Sequence, residues 1–319
     1  MGGMKMGLSK ATRLRKFSSK GIDKGFRKYW QYYVLMLPAL VYFIIFCYGP
    51  MYGVQIAFKD FTARKGIWIS PWVGTKHFIR FFESPYFWEL IRNTLIISVY
   101  SLIAGFPLPI ILALSINEMK NGPLKKLTQT ATYAPYFISV VVMCGMIIAF
   151  LNPNYGIINK LIVALGGKAI PFLSKEGMFP SIYVWSGVWQ GTGWGSVIYF
   201  SALSGVDPEL LEAATLDGAT RFQKIRYINF PVLVPTMITM LILNCGSLLS
   251  VGYEKVLLLQ NPLNTMTSEV ISTYVYKVGL VNAQYSFSTA VGLFNSIVNL
   301  IILVIVNTIA RRTSDNSLW

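Results

Sequence analysis

The chain has 319 residues, with 28 Lys+Arg against 13 Asp+Glu, a formal charge of +15, 54% apolar residues and only 13% charged ones. A soluble domain carries about 25% charged residues, so the balance excludes an ordinary soluble enzyme, and the apolar content excludes a disordered chain, which would be polar. At ~20 residues per membrane span, a chain of this length holds about six to eight helices and their loops.

Residues 1–30 form a basic tail. Lys5, Lys10, Arg13, Arg15, Lys16, Lys20, Lys24, Arg27 and Lys28 face Asp23 alone. No folded basic domain lies outside the apolar segments, so the tail is expected on the cytoplasmic side against anionic membrane lipid, with no nucleic-acid partner.

Apolar runs over 32–58, 95–116, 131–151, 181–203, 232–251 and 286–310 predict six transmembrane helices, so residues 31–319 read as one all-α transmembrane domain. The first run is too long for a signal-peptide core and no small-residue cleavage site follows it, so it is expected to be retained. Pro38 and Pro50 are expected to bend or shorten it. Six spans put both termini on one side. Placing the tail, 117–130, 204–231 and the C-terminal tail inside collects 17 of the 28 Lys+Arg there. That favours a multi-pass protein of the bacterial cytoplasmic membrane with both termini cytoplasmic.

Several chemistries are absent from the pattern. Cys47, Cys144 and Cys245 each sit in an apolar run and read as small buried hydrophobes. His77 stands alone in an expected loop, so neither a metal site nor a catalytic triad is expected. Glu89, Arg92 and Glu254 are the charges nearest the spans, which argues against a proton relay or voltage sensor. Gly166-Gly167-Lys168-Ala169 lacks the earlier Gly and the hydroxyl residue of a phosphate loop, so no ATP site of that kind is present.

The 204–231 loop is the most informative stretch. Asp207 can cap a helix with Pro208 at its first position, and Glu209 and Glu212 suit its N-terminal dipole. Gly218 can take the left-handed conformation that ends it. Thr220 can cap a second short helix over Arg221 to Tyr227, and Pro231 leads into the fifth span. On these grounds alone the segment is a well-capped surface helix pair.

The spacing Glu212-Ala213-Ala214, three residues, Gly218, nine residues, Ile228, two residues, Pro231 resembles the EAA loop of ABC importer permeases. Phe230 replaces the Leu usual before the final Pro. Tyr48-Gly49-Pro50, Ile56 to Phe61, Asn93-Thr94-Leu95, Asn152 to Gly156, Val251 to Val256, Asn261-Pro262, Thr273 to Tyr276 and Ala290 to Phe294 follow, in order, the oligosaccharide and polysaccharide branch of maltose-type permeases. The resemblance implies a six-helix permease fold with a cytoplasmic coupling helix. Glu212, Ala213, Ala214, Asp217 and Gly218 would couple the chain to a separate ABC ATPase. That ATPase would hold ATP and Mg, leaving no cofactor, no metal and no catalytic residue here. A second, related permease and an extracytoplasmic sugar-binding protein are the further partners implied. The outside loops 59–90 and 152–180 would meet the binding protein, although solvated loops read the same way.

Span four admits two readings. Gly187, Gly191 and Gly195 share one face, and Trp185 and Trp189 lie roughly opposite. Close helix packing through the glycines is one reading. The other is a sugar path over Trp189, Gln190 and Trp194, joined by Asn244, Ser247, Tyr253 and Glu254, an amide-and-aromatic set suited to a neutral or weakly charged carbohydrate. Two rival classes are a self-contained secondary transporter or channel, for which internal repeats are not evident, and a membrane-embedded glycan or lipid enzyme, for which the loop acids are the only dense set.

Overall fold

The computed structural model describes residues 19–175, 177–313 and 317–319, with side chains from Lys28 onward. Residues 1–18 of the basic tail lie outside the described residues. Among the described residues the regular elements are all helical, and the one β feature is an isolated antiparallel bridge between Lys59 and Trp72. The described residues divide into two compact units, one ending at Val54 and the other beginning at Gln55.

The first unit is built on the helical stretch Ser19–Tyr42, which is kinked at Tyr29 (φ −116, ψ 16), runs through Pro38 and continues as a widened turn over Phe43–Tyr48 and a helical step Gly49–Met51. Pro50 has no N–H for the carbonyl four residues back, and its ring would strike that carbonyl. The wide turn just before it relieves this, so the helix continues where it was expected to bend or stop. Cys47, expected to be buried, is exposed.

In the second unit the Phe179–Leu203 helix is the central post, packed against Phe87–Gly105 and Pro107–Asn117. Phe230–Gly246 packs on the same post and on Tyr285–Thr313. Three apolar clusters hold the unit. Ile110, Ala113, Tyr199, Leu203 and Leu233 lie in one. Ile97, Cys144, Phe179 and Val256 are among the members of another. Phe81, Leu90, Ile271, Phe287 and Val291 form the third, where the Phe81 ring meets Phe87, Phe287 and Phe294 edge to face.

Among the described residues, four helical stretches are long and apolar enough to cross a membrane: Lys28–Phe58, Phe87–Asn117, Arg221–Gly246 and Tyr285–Thr313. The expected span over 131–151 is not one straight helix. Pro123–Phe137 and Val140–Leu151 meet at 98°, and they make a fifth span only if counted together. Ser139 caps the second arm by accepting the Val142 N–H, and Gln190 Nε2 donates to the Ile138 carbonyl at 2.7 Å, so the backbone groups freed at the corner are satisfied. Phe179–Leu203 is long enough but less apolar, because it carries four glycines together with Gln190 and Thr192.

Other boundaries shift for local reasons. The span expected at 95–116 begins at Phe87. The one expected at 232–251 ends at Gly246, where Ser247 leaves helical geometry. The short helix expected over Arg221 to Tyr227 is not separate. After Arg221–Lys224 it passes through a widened turn at Ile225–Asn229 straight into Phe230–Gly246. That widened turn again precedes a proline, Pro231.

His77 sits in the helix Lys76–Phe82 rather than in a loop, and it is buried. Its Nε2 lies 3.0 Å from Asp60 Oδ1 and 3.2 Å from the Lys59 carbonyl, while Lys76 Nζ donates to Asp60 Oδ2 at 2.8 Å. The Lys76 hydrogen bond holds the Asp60 carboxyl below its ordinary value of 3.8. A lowered folded value adds stability that is present above the ordinary pKa and is lost as pH falls through the folded one. In detergent melts, Asp60→Asn is therefore expected to lower the midpoint slightly at pH 7, with the difference from wild type closing as pH drops below 3.8. A difference that persisted at acid pH would show that the ion pair is not its source.

Candidate functional site: a capped loop and an interhelical cavity

The loop 204–231 is built from caps. Asp207 Oδ1 accepts the Glu209 N–H at 2.9 Å, opening the helix Pro208–Leu216. Gly218 stands at φ +78, and the Ala219 N–H closes on the Ala214 carbonyl at 2.9 Å. Thr220 and Gln223 then form a reciprocal capping box at the start of Arg221–Lys224. Lys224 Nζ reaches back to Thr215 Oγ1 at 3.3 Å, pinning the two helices across the glycine turn. Below the turn, buried Asn229 donates to Glu118 Oε1 at 3.1 Å, tying the loop to the end of the Pro107–Asn117 helix.

No residue of Pro208–Leu216 is buried. Glu212, Ala213, Asp217 and Gly218 are exposed and Ala214 is half-buried. Leu210, Leu216 and Phe222 also stand exposed, Leu216 at 89%. A helix this fully capped, with exposed apolar side chains on it and after it, presents a surface that water does not favour.

The second feature is a cavity of about 530 Å³ between Phe87–Gly105, Phe179–Leu203 and the end of Phe230–Gly246. Gly187, Gly191 and Gly195 line it, and the face serves both readings: an added Cβ would stand 3.3 Å from Pro109 Cγ at Gly195 and 3.2 Å from Lys255 Nζ at Gly187. A Cβ on Gly191 would meet nothing within 4 Å. The tightest-packed glycine of this helix is Gly193, buried on another face, where an added Cβ would stand 1.8 Å from the Thr132 carbonyl oxygen.

Of the seven path residues expected from sequence, Gln190, Asn244 and Ser247 line this cavity. The other four do not. Trp194 stacks on Tyr136 at 4.9 Å between centroids, and Trp189 is exposed elsewhere on the helix surface. Tyr253 stacks on Tyr276 at 5.3 Å, and Glu254 is exposed. The reason is angular: at 100° per residue, Gln190 turns inward while its neighbour Trp189 turns outward.

Sequence reasoning missed other groups. Lys255 is buried in the cavity wall, with Nζ donating to the Tyr183 carbonyl at 2.7 Å. Asn299 accepts the Leu249 N–H at 2.9 Å and donates to Ser250 Oγ at 3.0 Å, fixing the chain that follows Gly246 along the wall. Asn93 donates to the carbonyls of Met266 and Glu269, and Thr94 Oγ1 accepts the Ile271 N–H, so this pair organises the 266–271 turn. Polar residues inside apolar windows were the available signal. Among the described residues, no group of His, Cys, Asp and Glu could hold a metal ion.

Residues 105–315 match the family described as "Binding-protein-dependent transport system inner membrane component". Protein LplB of Bacillus subtilis is 42% identical over 287 residues, covering 90% of each chain. The polygalacturonan/rhamnogalacturonan transport system permease protein YteP of the same organism is 41% identical over 287 residues, covering 90% of this chain and 89% of that one. Among solved structures, a chain of a bacterial ABC transporter involved in import of the acidic polysaccharide alginate superposes with TM-score 0.83 at 40% identity. That match covers 92% of this chain and 99% of the other. The matched region takes in the capped loop, the cavity-lining parts of the Phe179–Leu203 helix and the asparagine-pinned wall, and with this fold the chain belongs to the family of binding-protein-dependent transport system inner membrane components.

Proposed function

We propose that the chain is a permease subunit that carries oligosaccharides derived from polysaccharide across the bacterial cytoplasmic membrane, driven by a separate ABC ATPase. The observation that carries this reading is the exposed, fully capped helix Pro208–Leu216 closed by Gly218, joined to the spans through Asn229 and Glu118. Glu212, Ala213, Ala214, Asp217 and Gly218 form its docking surface. The small side chains of Ala213 and Ala214 let a partner surface approach closely, and Glu212 offers a charge to a basic partner residue. ATP and Mg reside on that partner, and this chain performs no covalent chemistry.

Phe179–Leu203 counts as a sixth span in this reading, with the bent pair as the third. Its low apolarity fits a helix that faces a polar cavity and protein neighbours more than lipid. Both termini and the 204–231 loop then lie in the cytoplasm, following the basic residues. One chain supplies half a pathway, so a second, related permease completes it, and an extracytoplasmic sugar-binding protein delivers the sugar. Relatives whose names specify polysaccharide transport support the substrate class.

A mild-detergent pull-down of the tagged chain from its native membrane tests the assembly. Co-purification of an ABC ATPase and a second permease, with ATPase activity, is the expected result. Recovery of the chain alone, with nucleotide-independent transport in liposomes, would replace this reading with that of a secondary transporter. Along the path, Asn244→Ala is expected to lower uptake several-fold and Trp189→Ala to have the smaller effect, because only Asn244 lines the cavity. Equal effects of the two would remove the cavity from the route.

A further inference from the structure

The cavity wall contains one charged side chain, Lys255. Its neighbours there are hydroxyls, amides and apolar groups, among them Ser98, Gln190, Asn244 and Ser250. Lys255 is 9% exposed, and its ammonium is held by neutral groups: the Tyr183 carbonyl at 2.7 Å and the Tyr183 ring, 4.4 Å to the centroid. Among the described residues, the ion pairs join Asp60 to Lys76 and His77, and Glu269 to Lys277, and none includes Lys255.

An ammonium has three N–H donors and no acceptor. A buried charge is costly unless it is paired and hydrogen-bonded. One carbonyl and one ring face leave this cation undercompensated, and it lies where a passing solute would meet it. Gly187 contributes to the arrangement. A Cβ there would lie 3.2 Å from Nζ, so the absence of a side chain gives the ammonium its room beside the post helix.

We infer that Lys255 binds a carboxylate of the transported sugar, which makes the substrate of this permease an acidic, uronate-bearing oligosaccharide. The inference rests on the permease reading above and adds a charged group to the amide-and-aromatic set read from the sequence. The surrounding amides and hydroxyls bind the sugar hydroxyls, and Lys255 supplies selectivity for charge. A site that presents a buried cation rejects the neutral analogue because the cation then goes unpaired.

The test uses the purified permease–ATPase complex without its binding protein, so that selection by that protein does not enter. Labelled trigalacturonate and trimannuronate are the probes, each alongside its carboxyl-reduced, neutral counterpart. Expected is binding of at least one acidic probe, roughly tenfold or more weaker binding of its reduced counterpart, and a similar loss for Lys255→Met. Lys255→Arg should retain the preference, and Lys255→Met should bind the reduced sugar at least as tightly as wild type does, because the cation that such a sugar leaves unpaired is gone. Equal loss of acidic and reduced sugar in Lys255→Met would assign the side chain to holding Tyr253–Leu259 against Tyr183, and so overturn the inference. So would equal affinity of wild type for acidic and reduced forms, or no binding of any probe by an intact complex. Failure to recover any complex with an ATPase would instead overturn the permease reading beneath it.

Discussion

Gly218→Val is expected to leave the chain inserted in the membrane at near wild-type level while cutting sugar uptake roughly tenfold or more, the factor that ~1.4 kcal/mol of lost docking free energy produces. Gly218 stands at φ +78, and an added Cβ would meet nothing within 4 Å. The cost is therefore one of backbone conformation and not of collision. A β-branched residue held in that region is strained by about 1–3 kcal/mol. Relief requires the turn to open, which breaks the Ala219 N–H bond to the Ala214 carbonyl and the Lys224–Thr215 link. Pro208–Leu216 then loses its fixed angle to the helix that continues into Phe230–Gly246. Gly218→Asn tolerates left-handed geometry better and should keep most of the uptake. Glu212→Arg attacks the same surface by charge and should also uncouple ATP hydrolysis from uptake without disturbing the fold, because Glu212 is exposed. Uptake and ATPase activity of reconstituted complexes separate these effects. Normal transport by Gly218→Val and Glu212→Arg together would sink the docking assignment.

The second large effect belongs to stability. Gly193→Ala puts a methyl group 1.8 Å from the Thr132 carbonyl oxygen and 2.4 Å from its carbon. Both atoms are backbone, so neither helix can yield by turning a side chain. The post helix must move away from the Pro123–Phe137 arm, close to the Gln190–Ile138 bond that satisfies the 98° corner. Overpacking of this kind costs about 1–3 kcal/mol and sometimes more. We expect a midpoint in detergent lowered by roughly 5 °C or more, together with reduced yield of the assembled complex. Gly191→Ala is the matched control on the same helix. Its Cβ enters open space, so the midpoint should stay at the wild-type value. Equal melting of the two variants would show that the close contact at Gly193 does not carry the bend.

How far the site was legible depended on the range of the interactions that make it. The cap at Asp207, the turn at Gly218 and the box at Thr220 each use atoms within a few residues, and the structure forms all three as local chemistry dictates. Cavity membership depends on rotation about a helix axis and on what stands opposite. Trp189 and Gln190 are adjacent in sequence, yet only Gln190 faces the cavity. Nothing local to Lys255 marks it as buried, because the group that holds its ammonium, the Tyr183 carbonyl, lies 72 positions earlier. His77 likewise looks solitary until Asp60 and the Lys59 carbonyl meet its ring.

The sequence by itself determined that the protein is helical and apolar, roughly where its membrane-crossing stretches lie, and that a capped helix pair with a glycine turn sits between two of them. Hydropathy, charge placement and caps are properties of neighbouring residues, so they are expressed before any long-range contact forms. Only the tertiary structure decided that one expected span folds into a 98° corner, that the three-glycine face borders a cavity while Gly193 makes the tightest contact of that helix, and that a lysine is buried in that cavity wall. Those outcomes are set by steric fit and electrostatic pairing between segments far apart in the chain, and they exist only once the helices have packed.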